Sequence, residues 1–277
     1  MISLLLMIFS YAIQSFPYSR EYVLELVQLA KNSYEKYNLE GLLYELENQS
    51  GLKAKVYMRG EKVIVSFRGT TFNVLGSDSS DNFNRIVDNS LFKCCKDQRC
   101  IVDTKTAIEN YAYISNSIAF VDQVMKLFPT KKIVLTGHSL GGSIASIVGR
   151  IKNLEVLAFS SPGERHISDL FAPASASNIL HLGACSDTIY TGKCSTQLSP
   201  CRIMGYQIET KCRYGRSFCI GTNYPDSILF HRIGFLQYLV ENNEDIIEDN
   251  NQDCSDCIVE RAQTSMLDNI LRLLHTT

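Results

Sequence analysis

Ser139 lies in a short stretch whose residue types and spacing could make its hydroxyl a nucleophile. Residues 137–141 read Gly-His-Ser-Leu-Gly, the G-x-S-x-G pattern of a strand that turns sharply into a helix and leaves the serine exposed at the apex. The glycines carry no side chain where strand and helix cross most closely, and the amide N–H of Leu140 would point toward an anion formed beside the serine. The stretch predicts Ser139 as a nucleophile and Leu140 as an oxyanion donor; the alternative is a serine helix cap on a plain glycine turn.

A serine hydroxyl is a poor nucleophile at neutral pH until an imidazole takes its proton and a carboxylate orients that imidazole. Behind a G-x-S-x-G turn, the acid follows the serine in the chain and the histidine follows the acid. His231 is therefore the predicted base. Three other histidines follow Ser139. His166 and His181 precede the predicted acid, and His275 lies two residues from the C-terminus, where chains fray.

Asp187 is the predicted acid, because it stands four residues past a predicted strand at 178–183. Catalytic groups of open α/β sheets gather at such strand ends. Asp226 is too close to His231 in the sequence to come from a separate strand, and Asp169 has no clear strand ahead of it.

Thr70 is the predicted second oxyanion donor. In this arrangement the second amide comes from the loop after an earlier central strand, and Thr70 follows the predicted strand at 62–67. The alternative is a β-branched residue that only caps a turn.

The hydrophobic pattern predicts the elements that would position these residues. A Gly60-Glu61 turn joins two strands into an antiparallel hairpin, and the strand-helix-strand order after it implies parallel crossovers. The fold class is thus α/β, with a mostly parallel central sheet and helices on both faces. The predicted strands are 54–59, 62–67, 133–136, 154–160, 178–183 and one near 205–212, and the predicted helices are 18–36, 39–47, 106–128, 140–151 and 227–242.

Two further segments have no clear place in the sheet. Residues 72–100 lack periodicity and carry spaced large apolar residues in a polar background, which suits either a lid or a disulfide-tied loop. Residues 244–277 form an acidic tail that ends in an amphipathic segment. We expect one domain over residues 16–277.

Composition limits the classes of protein. The chain has 277 residues, 45% of them hydrophobic, and a net charge of −2 without a basic stripe, so nucleic acid is not an expected partner. Residues 1–13 are almost wholly apolar but too short to span a bilayer, and polar Gln14 and Ser15 follow them. This predicts a secretory signal peptide over residues 1–15, or alternatively a short uncleaved anchor. Ten cysteines behind such a signal predict disulfides formed in an oxidising compartment. Cys254 and Cys257 form a single C-x-x-C pair, for which a disulfide is favoured over a metal. No metal or cofactor is expected.

Several stretches together resemble the fungal-type class 3 lipases, over about residues 50–240. The general motifs are IVLTGHSLGG at 133–142 and VIVSFRGT at 63–70. Three others are similar to the branch of vacuolar lipases that break down autophagic bodies: DNSLFKCC at 88–95, LAFSSPGE at 157–164 and HLGACSDTIYTGKC at 181–194. The resemblance implies an α/β-hydrolase fold with disulfide-tied loops.

The resemblance also implies an activity and a site. The activity is ester hydrolysis of glycerolipids or phospholipids at a membrane or lipid-droplet interface, in a secreted or a vacuolar or lysosomal protein. The site has Ser139 as nucleophile, Asp187 as acid, His231 as base, and Thr70 and Leu140 as oxyanion donors. Two alternatives stay open: a soluble esterase, thioesterase or acyltransferase with the same triad, and a catalytically silent lipid-binding or interaction module.

Overall fold

The computed structural model describes residues 16–48, 51–70, 87–92, 113–171, 178–195, 208 and 210–249. These residues build one eight-stranded sheet with helices on both faces. The strands are β1 (Leu42–Glu47), β2 (Lys53–Arg59), β3 (Lys62–Phe67), β4 (Lys132–His138), β5 (Glu155–Phe159), β6 (Ile179–Ala184), β7 (Arg216–Ile220) and β8 (Ile246–Glu248). The helices are α1 (Arg20–Asn32), α2 (Tyr113–Leu127), α3 (Leu140–Lys152), α4 (Arg165–Phe171) and α5 (Ile233–Glu241), with 3-10 turns at Lys193–Ser195 and Ile228–His231.

The sheet is parallel in its centre and antiparallel at its edges. Strands lie side by side in chain order, with β3 to β7 parallel and with β1, β2 and β8 added antiparallel. In register, Phe67 lies opposite Gly137, and His138 lies opposite Phe159. The ends of β3, β4 and β5 therefore meet at one edge, where an open α/β sheet carries its chemistry.

Alternating side chains on the central strands fill two cores. Val65 and Leu135 point to the face covered by α2 and α3, and Ile64 and Val134 point to the face covered by α1 and α5. Both faces are buried, so these strands read as continuous apolar runs in the sequence. The predicted fold class, an α/β-hydrolase fold with a mostly parallel sheet, is confirmed.

The predicted helix at 39–47 is wrong, because residues Leu42–Glu47 form edge strand β1. Its side chains alternate between half-buried and exposed, as expected for a strand that covers a core with one face only. Pairing with β2 supplies its backbone hydrogen bonds. Tertiary pairing has overridden the local helix propensity of this leucine- and glutamate-rich segment.

The predicted helix at 227–242 is two elements. A 3-10 turn at Ile228–His231 ends at Arg232, whose extended backbone (φ −67°, ψ 130°) separates it from α5. The break lets His231 leave the helix axis and face the sheet edge. Helix α1 is shorter than predicted, and Ser19 is its N-cap.

The predicted strand near 205–212 is wrong for residues 208 and 210–212, which are described and lie in no strand, and its other residues lie outside the described part. The strand that joins β6 is Arg216–Ile220. The sequence reading also missed β8, which pairs only three residues with β7.

Other predictions concern residues outside the described part of the chain. These are the signal peptide at 1–15, the start of the helix at 106–112, most of the lid at 72–100, and most of the tail at 244–277, including Cys254 and Cys257. Within 72–100, residues 87–92 are helical, and Val87, Leu91 and Phe92 are buried in the core beside α2 and α3. Among the helices that the structure describes, none is both long and apolar enough to cross a bilayer.

A disulfide between Cys185 and Cys219 joins the end of β6 to β7, across a separation of 34 residues. Cys194 and Cys212 are disulfide-bonded as well. The predicted use of cysteines in disulfides is thus confirmed for these positions.

The Cys185–Cys219 bridge should be a main source of stability. Closing a loop of this length lowers the entropy of the unfolded chain and stabilises the fold by about 3 to 4 kcal/mol. We expect the double variant Cys185→Ala/Cys219→Ala to lose about that much free energy of unfolding, measured by urea denaturation. Double substitution is preferable to a reductant, which would also attack the other bridges. A loss of less than about 1 kcal/mol in the free energy of unfolding would show that this bridge is not a main source of stability.

Candidate active site

Ser139 stands in a strained turn between β4 and α3. Its backbone has φ 57° and ψ −130°, a conformation that costs a non-glycine residue about 1 to 3 kcal/mol and persists only where its surroundings enforce it. The Ser139 N–H donates to the Phe159 carbonyl at 3.0 Å, and its carbonyl accepts from Gly142 N–H at 2.9 Å and Ser143 N–H at 3.2 Å. Strand β5 and the first turn of α3 therefore hold the serine in this conformation.

The two glycines of the motif are required by backbone contacts, as predicted. A Cβ at Gly137 would lie 2.5 Å from the Gly141 carbonyl, and one at Gly141 would lie 2.2 Å from the Phe67 carbonyl oxygen. Because the clashing atoms are backbone atoms of the sheet, they cannot rotate away.

His231 lies between Ser139 and Asp187. Its Nε2 is 2.8 Å from Ser139 Oγ, and its Nδ1 is 2.8 Å from Asp187 Oδ2. A carboxylate only accepts, so Nδ1 carries the proton and Nε2 of the neutral ring accepts the serine hydroxyl proton. This is the tautomer that a general base needs.

Asp187 is held by the loop that follows β6. Its Oδ1 accepts from the Ile189 N–H at 2.9 Å, and its own N–H donates to the Ala184 carbonyl at 3.1 Å. A parallel bridge pairs Asp187 with Ser227. This bridge brings the segment that ends in His231 alongside the acid.

All three side chains are buried, with exposures of 2% for Ser139, 0% for Asp187 and 3% for His231. The serine hydroxyl was expected to be exposed at the apex of the turn. It is covered because His231 lies on one side of it and Gly69 on the other, where a Cβ on Gly69 would come within 3.0 Å of Ser139 Cβ. Hydrogen bonds among these groups act in a low-dielectric environment.

Thr70 and Leu140 remain predicted oxyanion donors. Leu140 follows Ser139 in the chain, and Thr70 follows Gly69, where a Cβ would lie 3.0 Å from Ser139 Cβ. Leu140 begins α3, and its N–H makes no backbone hydrogen bond to another described residue. Thr70 follows β3, and its hydroxyl donates to Asp88 Oδ2 at 2.6 Å, which holds the threonine in place.

Asp88 was not among the predicted site residues. It begins the DNSLFKCC stretch on which the family resemblance was partly based, which is the one signal that marked it. The residue is 1% exposed, and burial raises the pKa of its carboxyl to about 7 against the opposing effects of the Thr70 hydrogen bond and of His231. A carboxyl that is only partly ionised at neutral pH thus accepts the hydrogen bond from Thr70 in the predicted oxyanion loop.

The competing histidines have other surroundings. His181 lies in β6, accepts or donates at Nδ1 with Ser161 Oγ at 2.9 Å, and has its Nε2 3.0 Å from the Tyr214 carbonyl. Glu164 lies 3.7 Å from the same Nε2. This Ser-His-Glu group links the segment that follows β5 to strand β6. It is completely buried and is therefore closed to substrate. His275 lies outside the described residues, and His166 lies in α4.

The competing acids face solvent. Asp169 bonds Arg150 at 3.1 Å, and Asp226 pairs with Lys193 at 2.6 Å. Neither contacts His231. Within the described ranges, no group of His, Cys, Asp or Glu side chains is arranged to hold a metal ion.

The close contact at Gly141 leads to a mutational prediction. Gly141→Ala forces its Cβ against the Phe67 carbonyl, so we expect a loss of about 3 kcal/mol or more of stability, or failure to fold. Gly234→Ala is the matched control, since a Cβ at this position in α5 meets nothing within 4 Å. We expect it to be neutral or stabilising, because alanine favours a helix over glycine by about 1 kcal/mol. Equal thermal unfolding of the two variants would refute the steric argument.

The buried Asp88 should make stability depend on pH. Its pKa is raised from 3.8 to about 7, so its contribution is fully present below the lower value and is lost as the pH rises through the higher one. Asp88→Asn keeps an oxygen that can accept from Thr70 but carries no charge. We expect the free energy of unfolding of the wild type to fall, relative to that of the variant, between about pH 5 and about pH 8. Urea titrations at both pH values test this, and parallel pH dependences would show that the carboxyl does not titrate there.

Comparison with known proteins identifies the family to which these features point. Residues 64–162 match the family model described as Lipase (class 3). The protein named "Putative lipase ATG15" of Eremothecium gossypii is 30% identical over 222 residues, which are 67% of this chain and 41% of that protein. The protein of the same name from Saccharomyces cerevisiae strain S288c is 32% identical over 184 residues, or 56% of this chain and 35% of that protein.

The native Rhizomucor miehei lipase propeptide complex is a structural neighbour, with a TM-score of 0.46 and 16% identity over 87% of this chain and 78% of that chain. The chain spans about two fifths of the length of the curated relatives it matches. The resemblance predicted from the sequence motifs is confirmed, because residues 64–162 match the class 3 lipase model and the two relatives described above are named as lipases.

Proposed function

We propose that the protein is a serine carboxylic ester hydrolase of the triacylglycerol lipase or phospholipase type. The observation that carries this proposal is the continuous hydrogen-bonded series from Ser139 Oγ through His231 to Asp187, with 2.8 Å at each step. Such a series converts an unreactive hydroxyl into a nucleophile at neutral pH. The segment that matches the class 3 lipase model contains Ser139 and supports the same reading.

In the proposed reaction, Ser139 Oγ attacks the ester carbonyl carbon while His231 Nε2 takes its proton. The resulting imidazolium faces the Asp187 carboxylate. The carbon–oxygen bond to the alcohol then breaks as Nε2 returns the proton to the leaving oxygen, which leaves an acyl group on Ser139. A water molecule then gives a proton to Nε2 and attacks the acyl carbonyl carbon. The bond from that carbon to Ser139 Oγ breaks, Nε2 returns the proton to Oγ, and a carboxylic acid is released.

The N–H groups of Leu140 and Thr70 stabilise the oxyanion of each tetrahedral intermediate. Each such donor typically lowers the barrier by about 3 to 4 kcal/mol. The Thr70 hydroxyl is already engaged by Asp88, so the backbone amide is the group left to act. Asp88 thereby has a positioning role.

An apolar surface near His231 supports a lipid as the substrate. Leu229, two residues before the base, is 61% exposed. Phe230 stacks on Phe235 at a centroid distance of 4.4 Å, and Tyr224 packs edge-on against Phe235 at 5.1 Å. Clusters of aromatic side chains are typical of protein surfaces that lie at a boundary between an apolar phase and water.

The setting of the enzyme belongs to the same proposal. The disulfide between Cys185 and Cys219 suits an oxidising compartment, and we propose the secretory pathway, ending outside the cell or in a vacuolar or lysosomal lumen. Residues 1–15 would be the signal peptide, residues 16–277 the enzyme domain and 72–100 a lid. The partner would be a membrane or lipid-droplet interface.

The proposal predicts that single substitutions in the triad abolish turnover. Ser139→Ala should lower kcat by about a millionfold, and Asp187→Asn by about ten-thousandfold through loss of the required tautomer. Asp226→Asn, a change of the same chemistry in an exposed ion pair, is the control and should leave kcat unchanged. Hydrolysis of p-nitrophenyl butyrate and labelling by a fluorophosphonate probe measure the loss.

A panel of triacylglycerol emulsions and phospholipid vesicles tests the substrate class with the same variants. Fatty-acid release that depends on Ser139 supports the proposal. Activity on dispersed short esters alone would favour a soluble esterase. Absence of probe labelling in the folded wild type would refute catalysis and favour a silent lipid-binding module.

A further inference from the structure

A second series of hydrogen bonds lies beneath the triad and runs through Tyr34 and His138. The Gly69 N–H donates to Tyr34 Oη at 3.1 Å, and Tyr34 Oη lies 2.9 Å from His138 Nδ1. His138 Nε2 then lies 2.7 Å from the carbonyl oxygen of His231. None of these groups was used in the proposed reaction, and neither Tyr34 nor His138 was predicted as a site residue from the sequence.

The donor and the acceptor of each hydrogen bond in this series follow from the chemistry of the two groups that it joins. The His231 carbonyl can only accept, so His138 Nε2 carries a proton. His138 is buried, and burial together with the nearby His231 lowers its pKa to about 3, so the ring is neutral and Nδ1 has no proton. Tyr34 must therefore donate to Nδ1 while its oxygen accepts from Gly69. In this arrangement the Gly69 N–H, the Tyr34 hydroxyl, the His138 ring and the His231 carbonyl each have a hydrogen-bond partner.

The series connects three elements that carry the proposed machinery. Gly69 precedes the oxyanion residue Thr70 after β3, His138 precedes the nucleophile at the end of β4, and His231 ends the 3-10 turn. The contacts are tight, since a Cβ on Gly69 would lie 2.3 Å from the His138 carbonyl oxygen and 2.5 Å from the Tyr34 hydroxyl. The ring centroids of His138 and His231 also lie 4.8 Å apart, so the His138 ring limits how far the His231 ring can tilt.

We propose that Tyr34 and His138 are positioning residues that fix the backbone of His231 and the Gly69–Thr70 loop relative to Ser139. This inference rests on the proposed function, because it names what holds the same site in order. Tyr34 fixes the loop that carries one oxyanion donor, and His138 fixes the main chain of the base. A misplacement of catalytic groups by about 1 Å can lower the rate about a hundredfold.

Tyr34→Phe tests the proposal, since it removes only the hydroxyl that links Gly69 to His138. We expect kcat for p-nitrophenyl butyrate, per site titrated with a fluorophosphonate, to fall roughly 10- to 100-fold with KM within about twofold. Tyr44→Phe is the matched control, because the Tyr44 hydroxyl is buried without a hydrogen-bond partner among the described residues. Its kcat should be unchanged.

A pair of variants at His138 tests the other half and guards against a simple folding defect. The His138→Gln side chain carries an amide N–H that can donate to the His231 carbonyl, whereas His138→Leu has no donor. We expect the glutamine variant to keep a kcat about tenfold higher than that of the leucine variant, with both compared per titrated site.

The outcomes separate this inference from the proposed function. If the wild type neither binds the probe nor hydrolyses the ester, the proposed function fails and this inference fails with it. If the wild type is active and Tyr34→Phe lowers the melting temperature but not kcat per site, the residues are only structural and this inference alone is overturned. Equal kcat in the two His138 variants would overturn the role of His138.

Discussion

Close contact between backbone segments around Ser139 is the constraint on which the site depends. The positive φ of Ser139, the missing Cβ of Gly141 against the Phe67 carbonyl, and the missing Cβ of Gly69 against the His138 carbonyl all describe one crowded crossing. Main-chain atoms cannot move aside as side chains do, so the sheet itself sets the position of Ser139, the proposed nucleophile. The remaining freedom belongs to His231 and to the loop of Asp187, which come from distant parts of the chain.

The polar groups around this crossing are buried, and burial disfavours their charged forms. It lowers the pKa of His138 to about 3, so that this ring is neutral, and it raises the pKa of Asp88 to about 7, so that this carboxyl is only partly ionised at neutral pH. An isolated charge in such surroundings would be costly, whereas a neutral hydrogen-bonded group holds its neighbours in place. These residues thus give the site rigidity, and the ionic chemistry is left to the proposed pair of His231 and Asp187.

Much of this arrangement could be predicted from the sequence because the apolar runs show where the central strands end. Apolar runs locate β3, β4, β5 and β6, and a parallel sheet brings their carboxyl ends to one edge. The chain-order rule then selects Asp187 and His231, which the structure brings to Ser139. The strands at the two edges of the sheet were harder to predict. Strand β1 carries helix-forming residues, and β8 pairs only three residues, so both depend on partners that no local pattern shows.

Asp88, Tyr34 and His138 could not be found in this way, and the reason is physical. Each makes side-chain hydrogen bonds to residues that are distant in the chain, such as Tyr34 to His138 across 104 positions and Thr70 to Asp88 across 18. Isolated hydrogen bonds leave no periodicity in the sequence, unlike a strand or a helix. His138 also stands beside Ser139, whose motif gives a stronger signal. Pattern therefore predicts the groups that react, and only the packed structure shows the groups that hold them at reacting distance.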